Sequence, residues 1–221
     1  MSGQRERGPP VKAKRFFIGA LLAAGTALGA CAGLVAWTDP LLSAGTLEEG
    51  DTALFVNERY EAAGLIRRQD YRNLVMGTSL AANFRASWFT QGLGSGTLKV
   101  TFPDGRLSEF DTALDLACRT HGDPERVYFG LDPNILIRAD QSSELPDYLY
   151  NDNPLDDIQL YLNAESLALA VKSLLRGEEA KTTLDEAYTW DKTHYFARET
   201  ALAGYPRPEP TGQLLPADAF L

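Results

Sequence analysis

The chain's 221 residues carry 30 acidic and 21 basic side chains, a net charge of −9; residues 1–15 hold +4, which leaves −13 on the remainder. So acidic a body repels nucleic acid and excludes it as a partner, whereas cationic or neutral partners, glycans among them, stay open. The two cysteines, Cys31 inside an apolar run and Cys118 far downstream, make no disulfide framework, and no repeat or low-complexity tract divides the chain. Burial must therefore hold together one ordinary domain core.

The first predicted element is a membrane anchor. Arg5, Arg7, Lys12, Lys14 and Arg15, with Glu6, form a basic segment over 1–15, followed by an uncharged run from Phe16 to Ala36. About 21 residues at 1.5 Å each cross a hydrocarbon core of about 30 Å. Asp39, Glu48, Glu49 and Asp51 follow the run, so the positive-inside rule puts the N-terminus in the cytoplasm and the bulk of the chain outside. The expected localisation is a single pass through the cytoplasmic membrane with an extracytoplasmic C-terminal domain. Trp37 suits the outer boundary, and Asp39-Pro40 stops the helix. The rival is a cleaved signal peptide, since Leu28-Gly29-Ala30-Cys31 has the look of a lipobox and would make Cys31 a lipidated first residue. The apolar continuation to Trp37 favours an uncleaved anchor, and either reading leaves the domain on the same face. A soluble core helix fits less well, because the run has no polar face.

Residues 37–70 show no sustained period and read as a stalk with a loosely helical lead-in. The domain is expected over 71–205. Its first strand is Asn73-Leu74-Val75-Met76, ended by Gly77-Thr78-Ser79, and Leu80 to Phe84 then has helical composition. A second strand is predicted at Leu98 to Thr101, a turn at Pro103-Asp104-Gly105, and a helix from Ser108 with Phe110, Leu114 and Cys118 at helical spacing. A third strand runs from Arg126 to Leu131. Strands alternating with helices at this interval indicate α/β architecture with a parallel sheet, half of a doubly wound domain. After Asp132 the rhythm stops: 146–154 is rich in Tyr, Asp and Asn, 155–162 and 164–175 look helical, and Gly177 ends the second. The Pro-rich tail, 206–221, has no periodicity.

Few residues suggest chemistry. Ser79 stands at a sharp strand-to-helix turn, which lifts a serine above the carboxyl edge of a parallel sheet beside helix amides and suits a nucleophile; plain helix capping by Thr78 or Ser79 explains the same residues. A serine nucleophile needs a base, usually histidine, oriented by a carboxylate. His121 lies before Gly122 at an expected helix end, where a cation is routine. His194 follows Asp191 at Asp-x-x-His spacing, which could supply both remaining members of a triad. Asp132 and Asn134 follow the third strand on the edge expected to carry Ser79, or they form an ordinary polar turn. No metal-ligand cluster, phosphate-binding Gly-rich loop or paired-cysteine motif is present, so no cofactor or metal is expected.

Several stretches together resemble a family of membrane-anchored bacterial proteins with an SGNH-hydrolase-like extracytoplasmic domain. They are Thr38-Asp39-Pro40, Asn57 to Tyr60, Met76 to Phe84, Gly130 to Asn134 and Asp147 to Pro154, within a similarity running from about Val35 to Pro208. The resemblance implies a partial flavodoxin-like, SGNH-like sheet domain and acyl transfer or ester hydrolysis on cell-surface polysaccharide. It assigns Ser79 to the nucleophile position, Gly105 to the second-block glycine, and Asn134 or Asp132 to the third-block polar residue. It also implies polysaccharide-export or acyl-transfer machinery as partners. Such family members continue beyond this length and supply a late Asp-x-x-His. Here the block from Thr189 to Pro208 is similar to a mid-chain family segment, which separates Asp191 and His194 from that role. Weak or absent activity follows, with a non-catalytic glycan- or protein-binding scaffold as the alternative.

Overall fold

The structure, a computed structural model, describes residues 11–137, 141–153, 155–156 and 158–190. The basic residues before position 11, the Asp191/His194 pair and the 206–221 tail lie outside the described residues.

Helix α1 runs over Val11–Thr38. It is the one described helix long and apolar enough to cross a membrane, and its residues 14–30 are all exposed to the surroundings of the fold. Such exposure would be costly for a soluble protein in water.

Within 37–70, read from sequence as stalk and lead-in, the turn at 40–42 and the helical residues 61–66 are buried in the core, while 44–46 and 48–52 are exposed. Asp39 closes a tight turn at the end of α1: its carboxylate accepts from the Ser43 amide and hydroxyl, at 2.9 and 2.8 Å, and from the Ala44 amide at 2.9 Å. That turn buries Pro40, Leu41 and Leu42. Thr52–Ala53 (β1) then leads to helix α2, Glu58–Arg68, with Glu58 and Glu61 in its first turn and Arg67 and Arg68 in its last, as the helix dipole favours. Ala62, Ala63, Leu65 and Ile66 of α2 are buried. Local periodicity shows no more than a loosely helical lead-in here, because the helix is buried over much of its circumference and its apolar stripe has no clean boundary.

Strand β2, Asn73–Gly77, is buried along its whole length and forms the centre of a parallel sheet. Beside it lie β3, Thr97–Thr101, and β4, Arg126–Gly130, in the spatial order β3-β2-β4. Gly77 is in register with Thr101 on one side and Gly130 on the other. Alternation sends Leu74, Met76, Leu98 and Val100 into the main core, against α2 and helix α4, Leu107–His121. Helix α3, Ala86–Leu93, covers the reverse face. Two ring contacts fix this division: Phe110 of α4 meets Phe129 of β4 with centroids 5.0 Å apart, while Phe89 of α3 meets the neighbouring Tyr128 at 5.1 Å.

Two predicted helices differ in detail. The helix expected from Leu80 is a single 3₁₀ turn, Ala81–Asn83, because the Lys99 ammonium takes the Ala82 and Phe84 carbonyls at 2.7 and 2.9 Å that a continuing helix would use. In α4 the core stripe is Phe110, Ala113, Leu116 and Ala117, with Leu114 and Cys118 only half-buried beside it.

After β4 come the short helices α5, Pro133–Ile137, α6, Asp147–Tyr150, and α7, Ile158–Leu162, then α8, Ala164–Arg176. Arg67 donates to the Leu149 and Asn151 carbonyls, at 3.2 and 2.6 Å, and Arg119 to the Tyr150 carbonyl at 2.9 Å, so α6 is tied to both α2 and α4. Thr182–Thr183 (β5) pairs antiparallel with β1. Cys31 and Cys118 are both free thiols.

Candidate functional site

The three strands end together, so the register itself sets which loops share the carboxyl edge. Thr78-Ser79 leaves β2, Leu131-Asp132 leaves β4, and the loop through Gly105 leaves β3. In an open α/β sheet this edge is where ligands sit. The expected grouping of Ser79, Asp132 and Gly105 on one edge is present, and Asn134 follows in the second position of α5.

Gly77 makes the turn possible. A Cβ there would lie 2.8 Å from the Ala81 Cβ, so the chain reverses over the strand end only without a side chain at 77. The Thr78 and Ser79 carbonyls then accept from the Ala81 and Ala82 amides at 2.9 and 3.3 Å, and Ser79 is held half-buried at the head of the turn. Lys99, beneath the turn, locks its far end. Burial lowers the Lys99 ammonium to about 8, with Arg85 pushing the same way and Asp185 and Glu186 opposing.

Asp132 is buried, and its carboxylate accepts a short hydrogen bond from the Thr78 hydroxyl and a longer one, 3.4 Å, from the Ile135 amide. This pair bridges the ends of β2 and β4 immediately beside Ser79. The Gly105 amide donates to the Phe102 carbonyl at 2.9 Å and so closes the Phe102–Gly105 turn. A Cβ at 105 would sit 2.6 Å from the Phe110 ring, which gives the glycine a packing reason of its own.

Sequence reasoning missed the network that holds this edge. The Arg59 guanidinium donates to the fully buried Glu109 carboxylate at 2.6 and 3.1 Å, and also to the Pro103 carbonyl at 3.1 Å. Glu109 in turn accepts from the Arg106 amide at 2.8 Å, and Arg106 pairs with Glu144. The bidentate Arg–carboxylate pair clamps the Gly105 loop from below. Arg59 stood within the Asn57 to Tyr60 stretch, but nothing local in sequence couples it to a glutamate fifty residues on.

His121 belongs to the opposite end of the sheet. Its Nε2 is 2.8 Å from the Ile66 carbonyl and its ring meets Tyr71, the residue two before β2, with centroids 5.0 Å apart. The length of β2 separates it from Ser79, about 3.3 Å per residue. His121 is the one histidine among the described residues, and His194 with Asp191 lies outside them. Among the described residues no three His, Cys, Asp or Glu side chains are grouped to hold a metal ion. No family model, curated protein or solved structure matches this chain.

Proposed function

We propose that this chain is a single-pass protein of the cytoplasmic membrane whose extracytoplasmic domain is a partial flavodoxin-like, SGNH-like unit. Its type of chemistry is acyl transfer or ester hydrolysis on cell-surface polysaccharide, weak or silent in this chain. The observation that carries the reading is the Gly77-Thr78-Ser79 turn at the carboxyl end of the central parallel strand, with Asp132 arriving from the neighbouring strand. The second-first-third strand order, counting the sheet strands along the chain, agrees with one half of a doubly wound sheet. The basic segment over 1–15, ahead of the apolar run from Phe16, and the acidic residues after α1 support the outward placement.

In this reading Ser79 Oγ attacks an acyl carbonyl, and helix-turn amides beside it with Asn134 stabilise the oxyanion. Without a base the hydroxyl is a poor nucleophile, and general-base help is worth about 10² to 10⁴ in rate. The second reading, a non-catalytic glycan- or protein-binding scaffold, is favoured by one observation: the Gly105 amide and the Asp132 carboxylate already have internal partners.

A fluorophosphonate probe applied to the full chain in detergent separates the two. Weak labelling that disappears in Ser79→Ala is expected. Labelling indifferent to Ser79→Ala removes the serine assignment, and its complete absence leaves the scaffold reading. Strong labelling lost in both Ser79→Ala and His194→Ala makes Asp191 and His194 a working pair.

A further inference from the structure

Helix α8 carries two apolar stripes where a surface helix needs one. Ser166, Leu169 and Ala170 face the core. Beside them Leu167, Val171, Leu174 and Leu175 recur at i, i+4, i+7 and i+8, and the last three remain 40%, 50% and 79% exposed. Leu155, just before α7, is 80% exposed, and Ile158 and Leu162 within it are 60% and 49% exposed. Large aliphatic residues gathered in this way mark a surface that something covers.

Helix α1 identifies what covers it. α1 packs against both α7 and α8. Since residues 14–30 of α1 are exposed, that packing falls on its last two turns, where Cys31, Ala32, Leu34 and Thr38 are half-buried and Val35 is fully buried. If the apolar run ends at Ala36 and Trp37 marks the interface, Cys31 lies about 9 Å deeper along the helix, at 1.5 Å per residue. Elements that touch Cys31 to Val35 therefore stand at the depth of the headgroups and the upper acyl chains. The link is rigid, because the Asp39 carboxylate cages the 39–44 turn and Leu41 is buried against α2.

We infer that α7 and α8 form a lipid-binding platform that rests the domain on the outer leaflet, with Leu155, Ile158, Leu162, Val171, Leu174 and Leu175 dipped into the interface. Lys172 and Arg176 flank the stripe on α8, exposed and one turn apart, where their stems reach back to lipid phosphates. Tyr161, 38% exposed on α7, and Trp37 add the aromatic residues that such an interface favours. The platform fixes the height and tilt of the domain, so the carboxyl edge of the sheet is held at one distance from the membrane instead of swinging on a tether. The inference rests on the reading of α1 as a membrane span.

The test uses the full chain, with Cys31→Ala and Cys118→Ser, in phosphatidylcholine–phosphatidylglycerol vesicles. Single cysteines at Leu22, Ile158, Leu175 and Gln91 carry an environment-sensitive fluorophore, and lipids bearing nitroxide at shallow or deep chain positions quench it. All four positions are exposed, so labelling leaves the core intact. Ile158→Cys and Leu175→Cys should lose most of their emission to the shallow quencher and Leu22→Cys to the deep one. Gln91→Cys, on α3 behind the sheet, should keep its emission. Quenching at Leu22 without quenching at Ile158 and Leu175 overturns the platform while keeping the span, and gives the stripe to a protein partner. No quenching at Leu22 removes the span and the platform together, and quenching at Gln91 equal to that at Leu175 overturns the proposed orientation.

Discussion

Two buried ionisable residues tie the core to the conditions outside it. Glu61, fully buried in α2, accepts the Tyr188 hydroxyl at 2.6 Å and the Val56 and Asn57 amides at 3.0 Å each. Burial pushes its carboxyl up to about 7, although those hydrogen bonds favour the charged form. The folded chain thus holds this proton more tightly than the unfolded one. The resulting stabilisation is full below about pH 4.5 and is lost as pH rises through about 7. Urea unfolding midpoints should therefore fall between about pH 5 and about pH 7.5, and Glu61→Gln should flatten that slope; an unchanged slope in the variant would place the titration elsewhere. Lys99 is the second case. Lys99→Met keeps the buried stem but leaves the Ala82 and Phe84 carbonyls without their donor, which costs about 1–3 kcal/mol. A lower unfolding midpoint and faster amide exchange over residues 79–84 are expected, and unchanged exchange there would show that Gly77 packing alone holds the turn.

Among the elements, α2 owes its place to one glycine. A Cβ at Gly64 would lie 2.3 Å from the Leu41 carbonyl oxygen and 2.6 Å from that of Leu42, so the chain leaving α1 can lie against α2 only here. Alanine is the better helix former by about 1 kcal/mol, yet it would force two backbone segments apart. Gly64→Ala is expected to destabilise by about 2 kcal/mol net, on the scale of core overpacking. Thermal unfolding of the detergent-solubilised chain measures this, and a stabilised variant would mean that the 39–44 turn yields easily. Helices α4 and α6 depend on each other through Arg119, which reaches Tyr150 from one side and Asp115 and Asp152 from the other.

For the molecule as a whole, the weak flank is β4. Among the described residues it pairs only with β2, and its outer edge carries Val127, 40% exposed. An open apolar groove of about 520 Å³, lined by Met76, Phe110, Leu114, Val127 and Phe129, runs along the same flank. A short sheet with an unpaired edge buries little per residue. Limited trypsin treatment in detergent should cut first after the exposed Arg126, ahead of sites in α2 and α4. Resistance at Arg126, with a single sharp unfolding transition, would show the three-strand sheet to be self-sufficient.

The sequence by itself determined the apolar helix, the three parallel strands and the turn bearing Ser79, because each is written in a local signal: an unbroken uncharged run, short apolar segments, and Gly-Thr-Ser at a strand end. It also read His121, before Gly122 at a helix end, as a routine cation there, and the contacts with Ile66 and Tyr71 then put it at the far end of the sheet from Ser79. Tertiary structure alone decided that the 40–42 turn and α2 enter the core, that Lys99 cuts the helix after Ser79 to one turn, and that Arg59 clamps Glu109 beneath the Gly105 loop. It alone brought α7 and α8 to the C-terminal end of α1. These features are pairings across long stretches of chain, and a buried carboxylate or ammonium has no periodicity by which its distant partner could be read.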